Sequence, residues 1–170
     1  SSNLRVLTRN ISINNLEKNI KVVPIPLTNK ENIFQEMNEG HFIEGGALNS
    51  FGEKFDFEGK EFKPAMKYNL LGTTMNYFIE NSILDIPDYI KIDVDGIEHL
   101  ILESGDNFLS DKKVKSLSIE INENFKEQYE KILNLMKEYK FKVLHKKHND
   151  DMFSEGRFNK VYNYIFIKQK

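Results

Sequence analysis

An α/β fold, with a mostly parallel sheet and an antiparallel last strand, follows from three features of the sequence. Strand-like apolar runs, Tyr89–Val94 and Ser116–Ile121, alternate with helical segments beyond residue 73. The stretch Phe125–Tyr139 places Phe125, Tyr129, Ile132, Leu133, Met136 and Tyr139 on one helical face. Two closing runs, Phe141–His145 and Tyr162–Ile167, lie close enough in sequence to pair antiparallel. Near-continuous apolar strands alternating with helices predict a sheet covered on both faces.

Taken in order, Leu4, Leu7, Ile11 and Ile13 form a helical stripe that ends near Asn14-Asn15. Lys21–Leu27 is a short apolar run between turn formers and reads as a buried strand. Its prolines, Pro24 and Pro26, remove backbone donors, which suits a strand end or edge. Residues 28–71 show no helical period and predict irregular structure with one or two short strands, including a hairpin around Glu58-Gly59. Thr73 or Thr74 caps a helix carrying Met75, Phe78, Ile79 and Ile83. The strand Tyr89–Val94 leads into a helix over Gly96–Ser104. No linker or repeat divides residues 1–170, so a single domain is expected.

Composition narrows the function. The 170 residues are 39% hydrophobic and 29% charged, the balance of a folded domain and not of a disordered chain. A net charge of -2 gives no global attraction for nucleic acid or an anionic membrane, so neither is an expected partner. With no cysteine, disulfides, zinc-thiolate sites and thiol nucleophiles are excluded. No apolar stretch approaches the roughly 20 residues that span a bilayer, and the first residues lack a signal-peptide layout. A cytoplasmic location is therefore expected.

Chemistry concentrates in Pro87-Asp88-Tyr89-Ile90-Lys91-Ile92-Asp93-Val94-Asp95-Gly96-Ile97-Glu98. An apolar strand runs directly into two acids and a glycine, then into a helix. In open α/β sheets, ligands bind beyond the carboxyl ends of the strands, which is where Asp93 and Asp95 fall. Lys91, inside a buried strand, needs a carboxylate partner or a route to the surface. Asp95 with Glu98 three residues later also has the spacing of a helix capping box.

The run Lys91-Ile-Asp-Val-Asp-Gly-Ile-Glu98 resembles the signature of FkbM-type methyltransferases. Asn3–Leu16 is similar to the helix after that family's second strand, and Val22–Leu27 to its third strand. Thr73-Thr74-Met75-Asn76 resembles the helix start preceding the signature, while Leu117–Ile121 and Tyr164–Ile167 resemble the fifth and last strands. The resemblance spans nearly the whole chain. It implies a Rossmann-like methyltransferase sheet, S-adenosylmethionine as cofactor, and methyl transfer to a hydroxyl of a small-molecule acceptor such as a saccharide.

The family's first strand with its glycine loop, and the acid ending its second strand, are expected before Ser1, so the sheet is expected to lack its first two strands. No Gly-x-Gly stands elsewhere, and Gly45-Gly46 neither follows a strand nor opens a helix. Weak cofactor binding by these residues alone is the expectation. A non-catalytic binding or assembly module of the same fold is the alternative reading. With two strands absent, either Lys21–Leu27 docks beside Tyr89–Val94, or two chains associate as a homodimer.

The resemblance places Asp93 at the cofactor and acceptor end of the sheet and sets Ile25, Pro26 and Leu27 beside the adenine. The plain reading of Asp93 is a carboxylate satisfied by the following turn. Asp95, Glu98 or His99 would take the acceptor's proton, though capping explains Asp95 and Glu98 equally well. His99 reads as a surface or partly buried histidine, or as a base at the pocket mouth. Glu120, ending the fifth strand, would face the substrate. His145 and His148 with Asp150 and Asp151 match no metal spacing and read as a solvated loop, so no metal site is expected.

Overall fold

The computed structural model describes residues 2–41, 43–148 and 155–169. A four-stranded sheet has the order β4-β5-β7-β6, formed by β4 (Tyr89–Ile92), β5 (Ser116–Asn122), β6 (Phe141–Lys147) and β7 (Val161–Lys168). β4 and β5 are parallel, and β7 runs antiparallel to both β5 and β6. Three strands therefore point one way and the last is reversed.

One face of this sheet makes the core. Leu117, Ile119 and Ile121 alternate along β5 and are completely buried, joined by Tyr164 and Phe166 from β7. This period of two is that of a strand with one packed face. α3 (Glu98–Glu103) and α5 (Lys126–Glu138) cover that face, with Ile132 and Met136 of α5 turned into the cluster. The expected cover over both faces is not found at β4, where Tyr89 is 70% exposed and Lys91 also faces solvent. Lys91 thus has both outcomes open to it, a route to the surface and a carboxylate, Asp93, at 2.5 Å.

Residues 21–27 correct a second expectation. They form no strand; Leu27 alone makes a parallel bridge, to Thr73. The amide of Thr73 donates to Pro26 O and that of Thr28 to Thr73 O. Pro24 and Pro26 cannot donate, so the run offers too few amides to sustain a ladder. The segment thus docks beside the end of the middle section and not beside β4, whose outer edge has no strand partner among the described residues.

The middle section is more regular than its sequence suggests. β1 (Ile33–Glu39), β2 (Ser50–Phe51) and β3 (Met66–Gly72) form an antiparallel sheet in the order β2-β1-β3, with seven residue pairs between β1 and β3. The hairpin around Glu58-Gly59 is present. Asp56 Oδ1 accepts from the amides of Glu58 and Lys60, and Phe55 bridges Glu61.

α1 (Ser2–Ile13) buries only Ile11 among its apolar residues, while Leu7 and Ile13 stay exposed. α4 (Asp106–Ser110) is not anticipated by the sequence pattern. α2 (Met75–Glu80) begins as expected, with Thr74 Oγ1 accepting from the amide of Tyr77 at 3.1 Å. Thr74→Ala should lower stability by about 1 kcal/mol, measured by urea denaturation. A loss below the error of that measurement would mean that solvent satisfies the freed amide. Among the described residues, no helix is long and apolar enough to cross a membrane.

Candidate active site

β4 and β5 run side by side, and the residues near their ends bring Asp93, Asp95 and Glu120 to one edge of the sheet, with Glu98 buried behind them. Asp93 leaves the end of β4 exposed and ion-paired to Lys91. Glu120, on the neighbouring strand, lies within reach of the charges of Asp93 and Asp95. Burial, followed by the charges of Asp93 and Asp95, pushes the Glu120 carboxyl up to about 7.

Asp95 takes a different position. It has a left-handed backbone, φ 61°, and its Oδ2 accepts from the amide of Leu48 at 2.7 Å. Leu48 itself has φ 63°, an uncommon conformation for a bulky residue. The bond thus ties together two turns from different sheets. Burial raises the pKa of Asp95, with the Leu48 and Asn49 amides opposing that rise.

The expected capping box forms only in part. Asp95 does not cap α3; the N-cap is Ile97, without a side-chain bond. Asp95 stands too early in the turn to take that place, and its carboxylate is committed to Leu48. Glu98 does reach back, accepting from the amides of Val94 and Gly96 at 3.0 and 3.1 Å. Gln128 Nε2 donates to it at 2.6 Å. Gln128 Oε1 accepts from the amide of Asn122, whose Nδ2 donates to Phe57 O. Burial pushes Glu98 up to about 7 despite its three donors.

Gly96 permits the tight approach behind this network. Its φ is 119°, and a Cβ there would lie 2.9 Å from Phe57 Cα.

Glu98 and His99 are 1% and 2% exposed, so neither faces an acceptor directly. The placement of His99 at a surface or pocket mouth is corrected. Its ring sits against Phe55 and Phe125, with centroids 6.3 and 5.7 Å away. Burial, then the nearby Lys131, lowers its pKa and favours the neutral ring. His148 Nε2 lies 3.3 Å from Phe158 O, and Asp150 and Asp151 lie outside the described residues. Among the described residues, no cluster of three His, Asp or Glu side chains could hold a metal.

Ile25, Pro26 and Leu27 line a cavity of about 390 Å³ together with Asp95, Asn49 and Ile97. It lies against the turn that follows β4, the edge where α/β sheets hold ligands. Asn3, which also lines it, holds the loop above by bonding Gly45 N and Gly46 O, each at 2.8 Å. The lining is apolar apart from Asn3, Asn49 and Asp95. Asp93 and Glu120 stand outside this lining, on the adjoining rim.

Asn3, Leu48 and Asn49 could not be found from the sequence, because folding alone brings residues 3, 48–49 and 95 together. Gln128 and Asn122 carried a signal, since amides within an apolar strand end and helix face demand partners.

The family model of the Methyltransferase FkbM domain matches residues 2–143. That span includes the cavity, the carboxylate rim and the buried network. No curated protein and no solved structure matches.

Proposed function

The chain belongs to the FkbM methyltransferase family, and on that premise we propose a methyltransferase that uses S-adenosylmethionine to methylate a hydroxyl of a small-molecule acceptor, a saccharide being the leading class. The observation carrying this reading is the cavity that joins Ile25–Leu27 to Asp95 at the end of β4. Its volume falls within the ~300–1,000 Å³ of small-molecule sites. Apolar walls with Asn3, Asn49 and Asp95 among them suit a flat heterocycle with polar edges, so the residues fit the adenosyl part of the cofactor. The Rossmann-like reading of the main sheet draws support from its three co-directional strands and reversed last strand.

When bound, the cofactor supplies an electrophilic methyl group. This chain's residues must align the acceptor and remove its hydroxyl proton. Glu120 suits proton removal, since it is only half-buried at the rim and burial with the nearby charges of Asp93 and Asp95 pushes its carboxyl up to about 7. Asp95 suits alignment, fixed by Leu48 in the cavity wall. Glu98 holds the turn containing Asp95 through Val94 and Gly96. Its neighbour His99 acts as packing between two phenylalanine rings.

Titration with S-adenosylhomocysteine, followed by methyl NMR, tests the assignment. The methyl signals of Ile25, Leu27 and Ile97 should shift, with a dissociation constant weaker than micromolar. Three polar side chains provide few anchors for the ~8 kcal/mol that micromolar affinity requires. Unmoved signals at millimolar ligand would reject the cofactor site and favour a non-catalytic domain.

A further inference from the structure

Beside the first cavity lies a second, of about 480 Å³, lined by Gly46, Leu48, Phe57, Phe62, Lys63 and Arg157 among others. We infer that this second cavity is the acceptor subsite and that it takes a neutral, polyhydroxylated ring. The inference rests on the methyltransferase reading of the first cavity. Arg157 stands outside the residues that the family model matches, so family membership does not assign it a role.

The two cavities share a wall. Gly46 lines both. Leu48 lines the second, Asp95 lines the first, and the Leu48 amide donates to the Asp95 carboxylate between them. A ligand in the second cavity therefore lies across one hydrogen bond from the first.

The lining defines the chemistry. Phe57 and Phe62 provide aromatic surface. Arg157 lies over the Phe57 ring at 4.9 Å and bonds Asp56 Oδ2 at 3.0 Å and Glu58 Oε2 at 2.7 Å. Its charge is thus already met by two carboxylates, and an anion gains little from it. Lys63 and Glu61 also line the cavity, with no hydrogen bond or ion pair from their side chains to the described residues. Arg157 and Lys63 against Asp56 and Glu61 leave this wall balanced, with both donors and acceptors on offer. Aromatic faces with balanced donors and acceptors suit a ring that has apolar C–H faces and a hydroxylated edge.

Methyl NMR separates the two sites. Ile43 and Ala47 report on the second cavity, whereas Ile25, Leu27 and Ile97 report on the first. Titration of the protein with methyl pyranosides of neutral hexoses should move Ile43 and Ala47 at millimolar concentration, and the matching methyl uronates should bind no more tightly, since Lys63 and Glu61 offset each other. Phe62→Ala should weaken pyranoside binding by about tenfold while leaving the S-adenosylhomocysteine shifts intact. Tighter binding of uronates, or no pyranoside response while S-adenosylhomocysteine still moves the first set, would overturn the inference. A pyranoside response without any response to S-adenosylhomocysteine would instead remove the methyltransferase reading on which the acceptor role depends.

Discussion

Glu98→Ala should lower the free energy of unfolding by about 3–5 kcal/mol, the largest loss expected from any single residue of the site. The side chain is 1% exposed and accepts from two backbone amides and Gln128. Truncation leaves those donors buried without an acceptor, each at about 1–3 kcal/mol before relaxation. It also frees Gln128, and through it Asn122 and the Phe57 carbonyl. Chemical denaturation showing a loss under about 1 kcal/mol would mean that water reaches this network.

The pH dependence has a definite sign. Glu98 moves from an ordinary value of 4.5 to about 7 on folding, so the folded state holds the proton more tightly. Its contribution is fully present below the unfolded value and disappears as pH rises through about 7. Between about pH 5 and 8 it should remove up to about 3 kcal/mol, and Glu98→Gln should flatten that part of the profile.

The second large effect concerns catalysis. Glu120→Gln should reduce methyl transfer by about 10²- to 10⁴-fold if Glu120 takes the acceptor's proton. Loss of stability should stay near about 1 kcal/mol, because Glu120 is only half-buried and Asp93 is exposed. Asp93→Asn removes the largest charge acting against Glu120 ionisation. The Glu120 midpoint should then move below about 7, towards 4.5, as followed by its side-chain carbonyl resonance. An unchanged midpoint would separate the two acids, and a Glu120→Gln protein with normal turnover would remove Glu120 from the chemistry.

The sequence exposed the elements whose pattern is local. α5 and β5 carry their periods openly, Thr74 caps as its type allows, and Asp56 with Gly59 forms the anticipated turn. β1 stayed hidden because Ile33–Glu39 mixes polar and apolar residues without a sustained alternation, whereas Met66–Leu70 does alternate and carried a strand signal. Their regularity arises from pairing with each other, in a register running from Ile33↔Gly72 to Glu39↔Met66. The hairpin and β2 intervene between the two strands, so no local window contains both. Lys21–Leu27 misled in the opposite sense, as its apolarity suits a cavity wall as well as a strand.

The acids at the end of β4 were visible as candidates, but their division of labour was not. Burial separates Glu98 from Asp93, although both fall within one short run of sequence. The outer edge of β4 has no strand partner among the described residues, the condition under which a homodimer is expected.

The shared wall between the cavities has a thermodynamic consequence. The Leu48–Asp95 bond can respond to an occupant on either side, so the two sites are energetically linked wherever occupancy alters that bond. Linkage is reciprocal: the factor by which one ligand tightens or weakens the other is the same in both directions. Whichever ligand binds first therefore sets the affinity for the second, and the order of addition cannot change the total free energy of the ternary complex.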